Sequence, residues 1–377
     1  MSASQQKSQR GCILTPSGWV TGQIVSEEGD IVRIDGDPVF PAGLARAPYI
    51  IPGFIDLHVH GGDGVDNTDG EAGIRKFIRF HASNGTVALA PTTATAPIEV
   101  IDRALAGIEA VRTTPGPNEP TVLGAHLEGP FINPGKLGAQ VNLTLEGNVA
   151  LALRWANICR LIIATVAPEI PGGIPVIEAL TARGCRVQIG HSLASAEETA
   201  VGFARGLAGF THLFNGMSGT DHRKPGVAGY ALAHGRYAEI ICDLNHVHPS
   251  IVLAAYRSIP RLYAITDATL CAGCPDGEYL ADGRSPIVKS GLTIMLANGK
   301  SLAGSAITML DGFRNLVSLG LSIAEASALC ATRQAEYLGL TNLGHLIPGA
   351  VASYIVLDEQ LGLRSVCIKG MPLVRTT

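Results

Sequence analysis

Short apolar runs alternate along the chain with longer stretches in which apolar residues recur every third or fourth position, and these two periodicities predict strands and helices in turn. Runs at 51–58, 86–91, 121–127, 161–167, 186–190, 206–213, 238–243 and 261–266 predict eight strands. Stretches at 70–84, 98–113, 173–183 and 195–205 carry Glu, Lys and Arg between their apolar positions and predict amphipathic helices. Two further helices are predicted at 305–319 and 322–338, each opened by a serine, Ser305 and Ser322, able to cap orphan N–H groups. This alternation predicts an α/β fold, a (β/α)8 TIM barrel of parallel strands.

The two ends follow a different rhythm. Residues 12–15, 19–25 and 30–34 are strand-like and separated by Ser-Gly and Glu-Gly-Asp turns, and 352–357 and 363–370 are strand-like at the other end. Both termini are therefore expected to fold together as a small β-sandwich domain, 1–50 plus 348–377, with the barrel at 51–347 inserted between its halves. No internal repeat or low-complexity tract is evident.

Composition narrows the function classes. The 377 residues are 46% hydrophobic and 16% charged with a net charge of −4, which describes a well-buried chain and argues against nucleic acid as a partner. No apolar run is long enough to span a bilayer, and the polar start, Met1 to Arg10, has no apolar leader core. No membrane partner and a cytoplasmic location are expected. The eight cysteines are scattered, several inside apolar runs, which suits reduced, buried thiols, and the lone Cys271/Cys274 pair is expected to be ordinary loop thiols.

Candidate chemistry begins where the first barrel run ends, in Pro52-Gly-Phe-Ile-Asp-Leu-His-Val-His-Gly-Gly62. Residues i and i+2 of a strand point to one side, so His58 and His60 can hold one metal between them. Glu128, His191, His212 and Asp267 each close another apolar run. Taken singly, Glu128 could serve a helix cap, His191 could be a satisfied core histidine and Asp267 an Asx-turn residue. Together they fall at strand ends, the side of a barrel where active sites are built. Imidazole and carboxylate donors suit a divalent metal, zinc first and iron or manganese after it. Such an ion lowers the pKa of water towards neutrality, and a neighbouring carboxylate can take and return the proton, a role that falls to Asp267.

An ordered set of motifs carries a resemblance over nearly the whole chain: Pro52 to Gly61, His126-Leu-Glu-Gly-Pro-Phe131, Ala167-Pro-Glu169, Gly190-His-Ser192, Thr211-His-Leu-Phe-Asn-Gly-Met217, Pro225-Gly226, Asp243-Leu-Asn-His246, Thr266-Asp-Ala268 and Leu302-Ala-Gly-Ser305. With these the chain resembles the N-acetylglucosamine-6-phosphate deacetylase family of the amidohydrolase superfamily. The resemblance implies hydrolysis of the N-acetyl group of N-acetylglucosamine 6-phosphate in amino-sugar catabolism, giving glucosamine 6-phosphate and acetate. It implies that Glu128, His191 and His212 hold the main metal and that Asp267 is catalytic. His58 and His60, which some members lack, imply a second ion bridged by Glu128, hence one or two ions per subunit. Many amidohydrolases carry a carboxylated lysine after strand four, whereas this chain has Ala167-Pro-Glu169 and no lysine there.

The resemblance also implies a phosphorylated amino sugar touching Ala139, Gln140, Asn215, Gly216, Arg223, the Asp243, Leu244, Asn245 and His246 turn, and the backbone of Leu302, Ala303 and Gly304. A guanidinium suits phosphate because it donates two parallel charge-assisted hydrogen bonds. In the family the arginine equivalent to Arg223 reaches a neighbouring subunit's site, which implies a homodimer. Two departures stand out: Gln140 occupies the place of a substrate-contacting histidine, and Leu244 the place of a glycine. The alternatives are N-acetylgalactosamine 6-phosphate as substrate, another amidohydrolase reaction such as deamination or cyclic-amide opening, and a non-catalytic sugar-phosphate scaffold.

Overall fold

The computed structural model describes residues 6–280 and 286–373, so the first part of the polar start, Met1 to Gln5, and residues 374–377 of the expected terminal domain lie outside the described residues. Eight parallel strands form the centre: β1 (Phe54–Val59), β2 (Thr86–Pro91), β3 (Ala125–Glu128), β4 (Leu161–Thr165), β5 (Arg186–Ile189), β6 (Leu207–Phe210), β7 (Tyr237–Ile241) and β8 (Arg261–Ile265). Parallel ladders join β1 to β2, β3 through β6, and β7 to β8. The joints between these pieces are the Thr92–His126 bridge, the Leu213 N–H on the Glu239 carbonyl, and the Asp267 N–H on the His58 carbonyl. The ring is closed, and the chain is a (β/α)8 barrel.

Helices α1 (Gly70–Ser83), α2 (Ile98–Thr113), α3 (Val149–Ile158), α4 (Gly173–Ala182), α5 (Ala196–Ala204), α6 (Gly226–His234), α7 (Pro249–Ser258) and α8 (Met309–Ser318) follow the strands. Alternate strand residues such as Val87, Leu89, Ile240 and Leu262 belong to the large core on which these helices pack. Ala88, Ala90, Ile241 and Tyr263 face the other way into a separate core inside the ring. Burying each such Leu, Ile or Phe contributes roughly 1.5–3 kcal/mol.

The terminal strands make one seven-stranded sheet in which Lys7–Thr15, Gly18–Glu27 and Asp30–Pro38 join Tyr49–Pro52 and the carboxy-terminal Tyr354–Leu357 and Leu363–Ile368. The sheet curls until its outer strand Asp30–Pro38 reaches the segment before Tyr354–Leu357: Ile31 and Ala352 donate N–H groups to the Ala350 and Gly29 carbonyls. The enclosed face carries Ile13, Ile24, Ile50, Tyr354 and Val356, which is how a single sheet makes a sandwich-like core.

Several elements differ from their sequence expectation, each for a local reason. The run at 51–58 is divided: Ile51 pairs with Ile355 in the terminal sheet, while Phe54 onward pairs with β2. Gly53 turns the chain between the two sheets, and a Cβ there would stand 2.3 Å from the Val87 side chain. The run at 121–127 is two strands, Thr121–Val122 and β3, interrupted by Gly124 at φ 153°. The helix expected from Ser305 begins at Met309 and is capped by Thr308, whereas Ser305 ends a strand and donates its hydroxyl to the Thr266 carbonyl. Ser322 does cap its helix, accepting from the Glu325 N–H. A four-stranded antiparallel sheet after β8, Gly277–Tyr279, Ile287–Ser290, Thr293–Leu296 and Leu302–Ser305, has no counterpart in the expected elements. Among the described residues no helix is long and apolar enough to cross a membrane. All eight cysteines are free, and all but Cys274 are buried.

Candidate active site

The same local device places three of the key side chains. His191, His212 and Asp267 each lie two residues beyond the last residue of β5, β6 and β8, and each has a left-handed backbone, with φ of 48°, 31° and 51°. L-residues adopt this conformation only when the surroundings impose it, and here it follows strands that are hydrogen-bonded on both sides. Glu128 ends β3, and His58 lies inside β1 with His60 just beyond it. All six are buried, with none more than a tenth exposed.

Their donor atoms converge. Glu128 Oε1 lies 3.1 Å from His191 Nε2 and 2.9 Å from His212 Nε2, and these two nitrogens are 3.1 Å apart. On the other side, His58 Nε2 and His60 Nε2 are 3.3 Å apart and lie 3.4 and 3.1 Å from Asp267 Oδ1. Glu128 connects the two groups, because its Oε2 is 3.5 Å from His60 Nε2. The far ring nitrogens are committed elsewhere: His60 Nδ1 to the Thr92 carbonyl at 3.0 Å and His191 Nδ1 to the Lys136 carbonyl at 2.7 Å. A carbonyl can only accept, so both rings carry hydrogen on Nδ1 and turn an Nε2 lone pair inward. Lone pairs meeting at this range beside two carboxylates repel one another unless a cation lies among them. The donor set therefore fits a divalent metal, in two groups, Glu128 with His191 and His212, and His58 with His60 and Asp267.

Burial disfavours the Glu128 carboxylate, but His58, His191 and His212 outweigh it and hold its carboxyl well below the usual range. Asp267 is likewise lowered, burial being overcome by His58 and His60. It is held as the ionised carboxylate.

A cavity of about 250 Å³ opens over this cluster. Of the residues expected to touch substrate, Ala139, Gln140, Asn215, Gly216, His246, Leu302, Ala303 and Gly304 line it together with His60, Glu128, His191, His212 and Asp267. Asp243, Leu244 and Asn245 stand behind it: Asp243 accepts from the Asn245 and His246 N–H groups and holds His246 Nδ1 at 2.7 Å, leaving Nε2 of that ring for the cavity. Leu244 has φ 63°, the conformation for which glycine is best suited. Arg223 lies on an exposed loop, does not line the cavity of its own chain, and shows only its backbone N–H bound, to Asp221. Gln140 is engaged at both ends of its amide, accepting from the Thr95 N–H at 2.6 Å and donating to Glu128 Oε2 at 2.7 Å.

The sequence left the roles of several supporting residues unread. Glu239 on β7 touches His58, and its signal was available as a lone acid in the apolar run Ala238-Glu-Ile-Ile-Cys242. Glu169 receives Ser192 Oγ and the Leu193 N–H and so braces the turn that carries His191. The apolar wall at Ile287 and Leu296 comes from the unexpected antiparallel sheet.

A closed parallel barrel with His, Glu and Asp gathered at its strand ends is the architecture of metal-dependent hydrolases. The chain belongs to the amidohydrolase family, whose model matches residues 49–372. It is 35% identical over 367 residues to the N-acetylgalactosamine-6-phosphate deacetylase of Escherichia coli O157:H7, covering 95% of this chain and 96% of that one. It is 34% identical over 357 residues to the N-acetylglucosamine-6-phosphate deacetylase of Vibrio furnissii, covering 92% and 89%. Among solved structures it is similar to the Mycobacterium smegmatis N-acetyl-D-glucosamine-6-phosphate deacetylase in complex with N-acetyl-D-glucosamine-6-phosphate, with a TM-score of 0.90, 27% identity and coverage of 99% and 100%. The Thermotoga maritima N-acetylglucosamine-6-phosphate deacetylase superposes with a TM-score of 0.88 at 26% identity, covering 98% and 100%.

Proposed function

We propose that this protein hydrolyses the N-acetyl group of N-acetylglucosamine 6-phosphate, giving glucosamine 6-phosphate and acetate. The observation that carries the reading is the convergence of Glu128, His191, His212, His58, His60 and Asp267 at the base of one cavity. The relatives named above act on this class of substrate.

Glu128, His191 and His212 would hold one divalent ion, with His58 and His60 available for a second; zinc suits the donors best, and Fe2+ or Mn2+ are alternatives. Bound there, such an ion supplies Lewis acidity, polarising an amide carbonyl and making water more acidic. Asp267 takes the proton of the attacking water and returns it to the amine nitrogen as the C–N bond breaks, so that the carbonyl carbon gains an oxygen and the amine gains a hydrogen. His246, oriented by Asp243, presents Nε2 to a sugar hydroxyl. The backbone at Leu302, Ala303 and Gly304 closes the opposite wall. Arg223 would bind the phosphate of a substrate held by a second copy, so the working unit would be a homodimer, located in the cytoplasm. The terminal segments 1–50 and 348–377 would form a supporting domain around the 51–347 barrel.

A second reading, N-acetylgalactosamine 6-phosphate as the preferred substrate, is favoured by the Escherichia coli relative. Acetate release from both sugar phosphates, measured with wild type and Asp267→Asn, tests both. The gluco epimer should be turned over faster and the variant should lose at least a hundredfold in kcat. Wild-type turnover of both sugar phosphates by the variant would remove Asp267 from the mechanism, and faster turnover of the galacto epimer would favour the second reading.

A further inference from the structure

Directly beneath the cluster, the inside of the barrel contains a carboxylate that the mechanism above does not use. Glu239 projects from β7 and is fully buried. Its neighbours Ala238, Ile240 and Ile241 are apolar and buried as well. A carboxylate in such surroundings costs several kcal/mol unless donors surround it, and three do. Oε2 lies 3.0 Å from His58 Nδ1 and accepts from the His212 N–H at 3.2 Å, while Oε1 accepts from Tyr263 Oη at 3.3 Å. Gln188 Nε2 donates to that phenol oxygen at 2.8 Å, which directs the phenol hydrogen towards Glu239.

This arrangement decides where the hydrogen of His58 resides. With Glu239 ionised below it, His58 carries hydrogen on Nδ1 and presents the Nε2 lone pair to His60, Asp267 and Glu128. Without Glu239, Nδ1 loses that acceptor, whereas Nε2 still has Asp267 Oδ1 at 3.4 Å and Glu128 Oε1 at 3.6 Å. The favoured tautomer then places hydrogen on Nε2, in the space the ion needs. The same Glu239 oxygen also fixes the backbone of His212, so one buried acid braces a ligand of each group.

We propose that Glu239 is a positioning residue: it sets the tautomer of His58 and thereby creates the second ion position among His58, His60 and Asp267. The inference rests on the metal-dependent reading of the site. Full-length wild type, Glu239→Gln and Glu239→Leu are compared by elemental analysis of metal per chain, as purified and after dialysis against graded chelator, with circular dichroism as the check on folding. The wild type should keep two ions. Glu239→Leu should lose one, and Glu239→Gln, which keeps an acceptor but not the charge, should lose it at roughly 10- to 100-fold lower chelator concentration. Nitrogen-15 NMR of histidine-labelled wild type, which needs no variant to fold, should show His58 with hydrogen on Nδ1. Two ions retained by Glu239→Gln at wild-type chelator concentrations, or hydrogen on His58 Nε2 in the wild type, overturns the proposal and leaves the deacetylase reading standing. One ion in the wild type does the same, whereas none removes the metal-dependent reading too.

Discussion

Single residues here act by occupying space and direction as much as by chemistry, and Gly216 shows it most sharply. It has φ 56°, and a Cβ built on it would lie 3.0 Å from Nδ1 and 3.1 Å from Cε1 of the His191 ring. Alanine there would meet both the left-handed backbone penalty, roughly 1–2 kcal/mol, and a ring held in place by its 2.7 Å hydrogen bond to the Lys136 carbonyl. Gly216→Ala is therefore expected to fold but to release metal and lose at least tenfold in turnover, measured as metal per chain and acetate production; unchanged values of both would show that the His191 ring has room to shift. The convergence of the six side chains was legible in the sequence because each ends an apolar run, the place in a barrel where polar side chains from several strands meet. What holds them was not. The Thr92 and Lys136 carbonyls have no side-chain signature, and Glu239 shows itself only as a charge out of keeping with its strand. Gln140 illustrates the limit from the other side: its identity was readable, yet its two hydrogen bonds, to Thr95 and Glu128, depend on loops brought together by the fold.

At the scale of elements, the periodicities gave the barrel strands and the helices α1, α2, α4 and α5 between them, left α3, α6 and α7 unnamed, and failed where one apolar run serves two sheets or where alternation is too short to register. The hairpin at Ile287–Ser290 and Thr293–Leu296 alternates outward and inward about Gly291, but its cue is weaker than that of the barrel runs around it. Helix α1 provides a consequence of packing that can be titrated. His81 on this helix is fully buried, with the Phe77 and Phe80 rings beside it and Nε2 2.9 Å from the Gly61 carbonyl. Burial disfavours its charged form, only that carbonyl opposes the effect, and the pKa falls to about 4. The unfolded chain titrates near the ordinary value of about 6.5, so between the two the unfolded state binds more protons and stability rises with pH. His81 thus contributes stability that is complete above about pH 6.5 and is lost as the pH falls towards 4, about 2 kcal/mol of it between pH 7 and pH 5. Denaturant unfolding at those two pH values should show this loss in the wild type and a correspondingly smaller one in His81→Gln, which keeps a donor but does not titrate. An identical pH dependence in the two proteins would exclude His81 as its source.

For the whole molecule, the decisive question is how a phosphate is held, because the cavity of a single chain is lined by no lysine or arginine, its polar walls including the His, Glu and Asp cluster with Gln140, Asn215 and His246, and Arg223 is not among them. Arg223 instead projects from a loop between the Asn215–Gly216 wall and α6, flanked by His222 and Lys224, all exposed. On the proposed reading this arginine serves phosphate in another molecule's cavity, where two charge-assisted hydrogen bonds are worth enough that their loss should raise KM at least tenfold. Complementation between chains tests the proposed dimer. In it Arg223→Ala should spoil the site of the partner and Asp267→Asn the site of its own chain, so that each variant homodimer should be impaired, the first in KM and the second in kcat. Unfolded together in equal amounts and refolded, the two would form mixed dimers in which one of the two sites has an intact Asp267 and receives an intact Arg223. Roughly a quarter of all sites should then regain wild-type KM and turnover at low substrate. A mixture no more active than the sum of its parts, or a protein that sediments as a monomer at assay concentration, would mean that the phosphate is bound by the same chain that cleaves the amide, and that the loop at 221–224 has moved to do it.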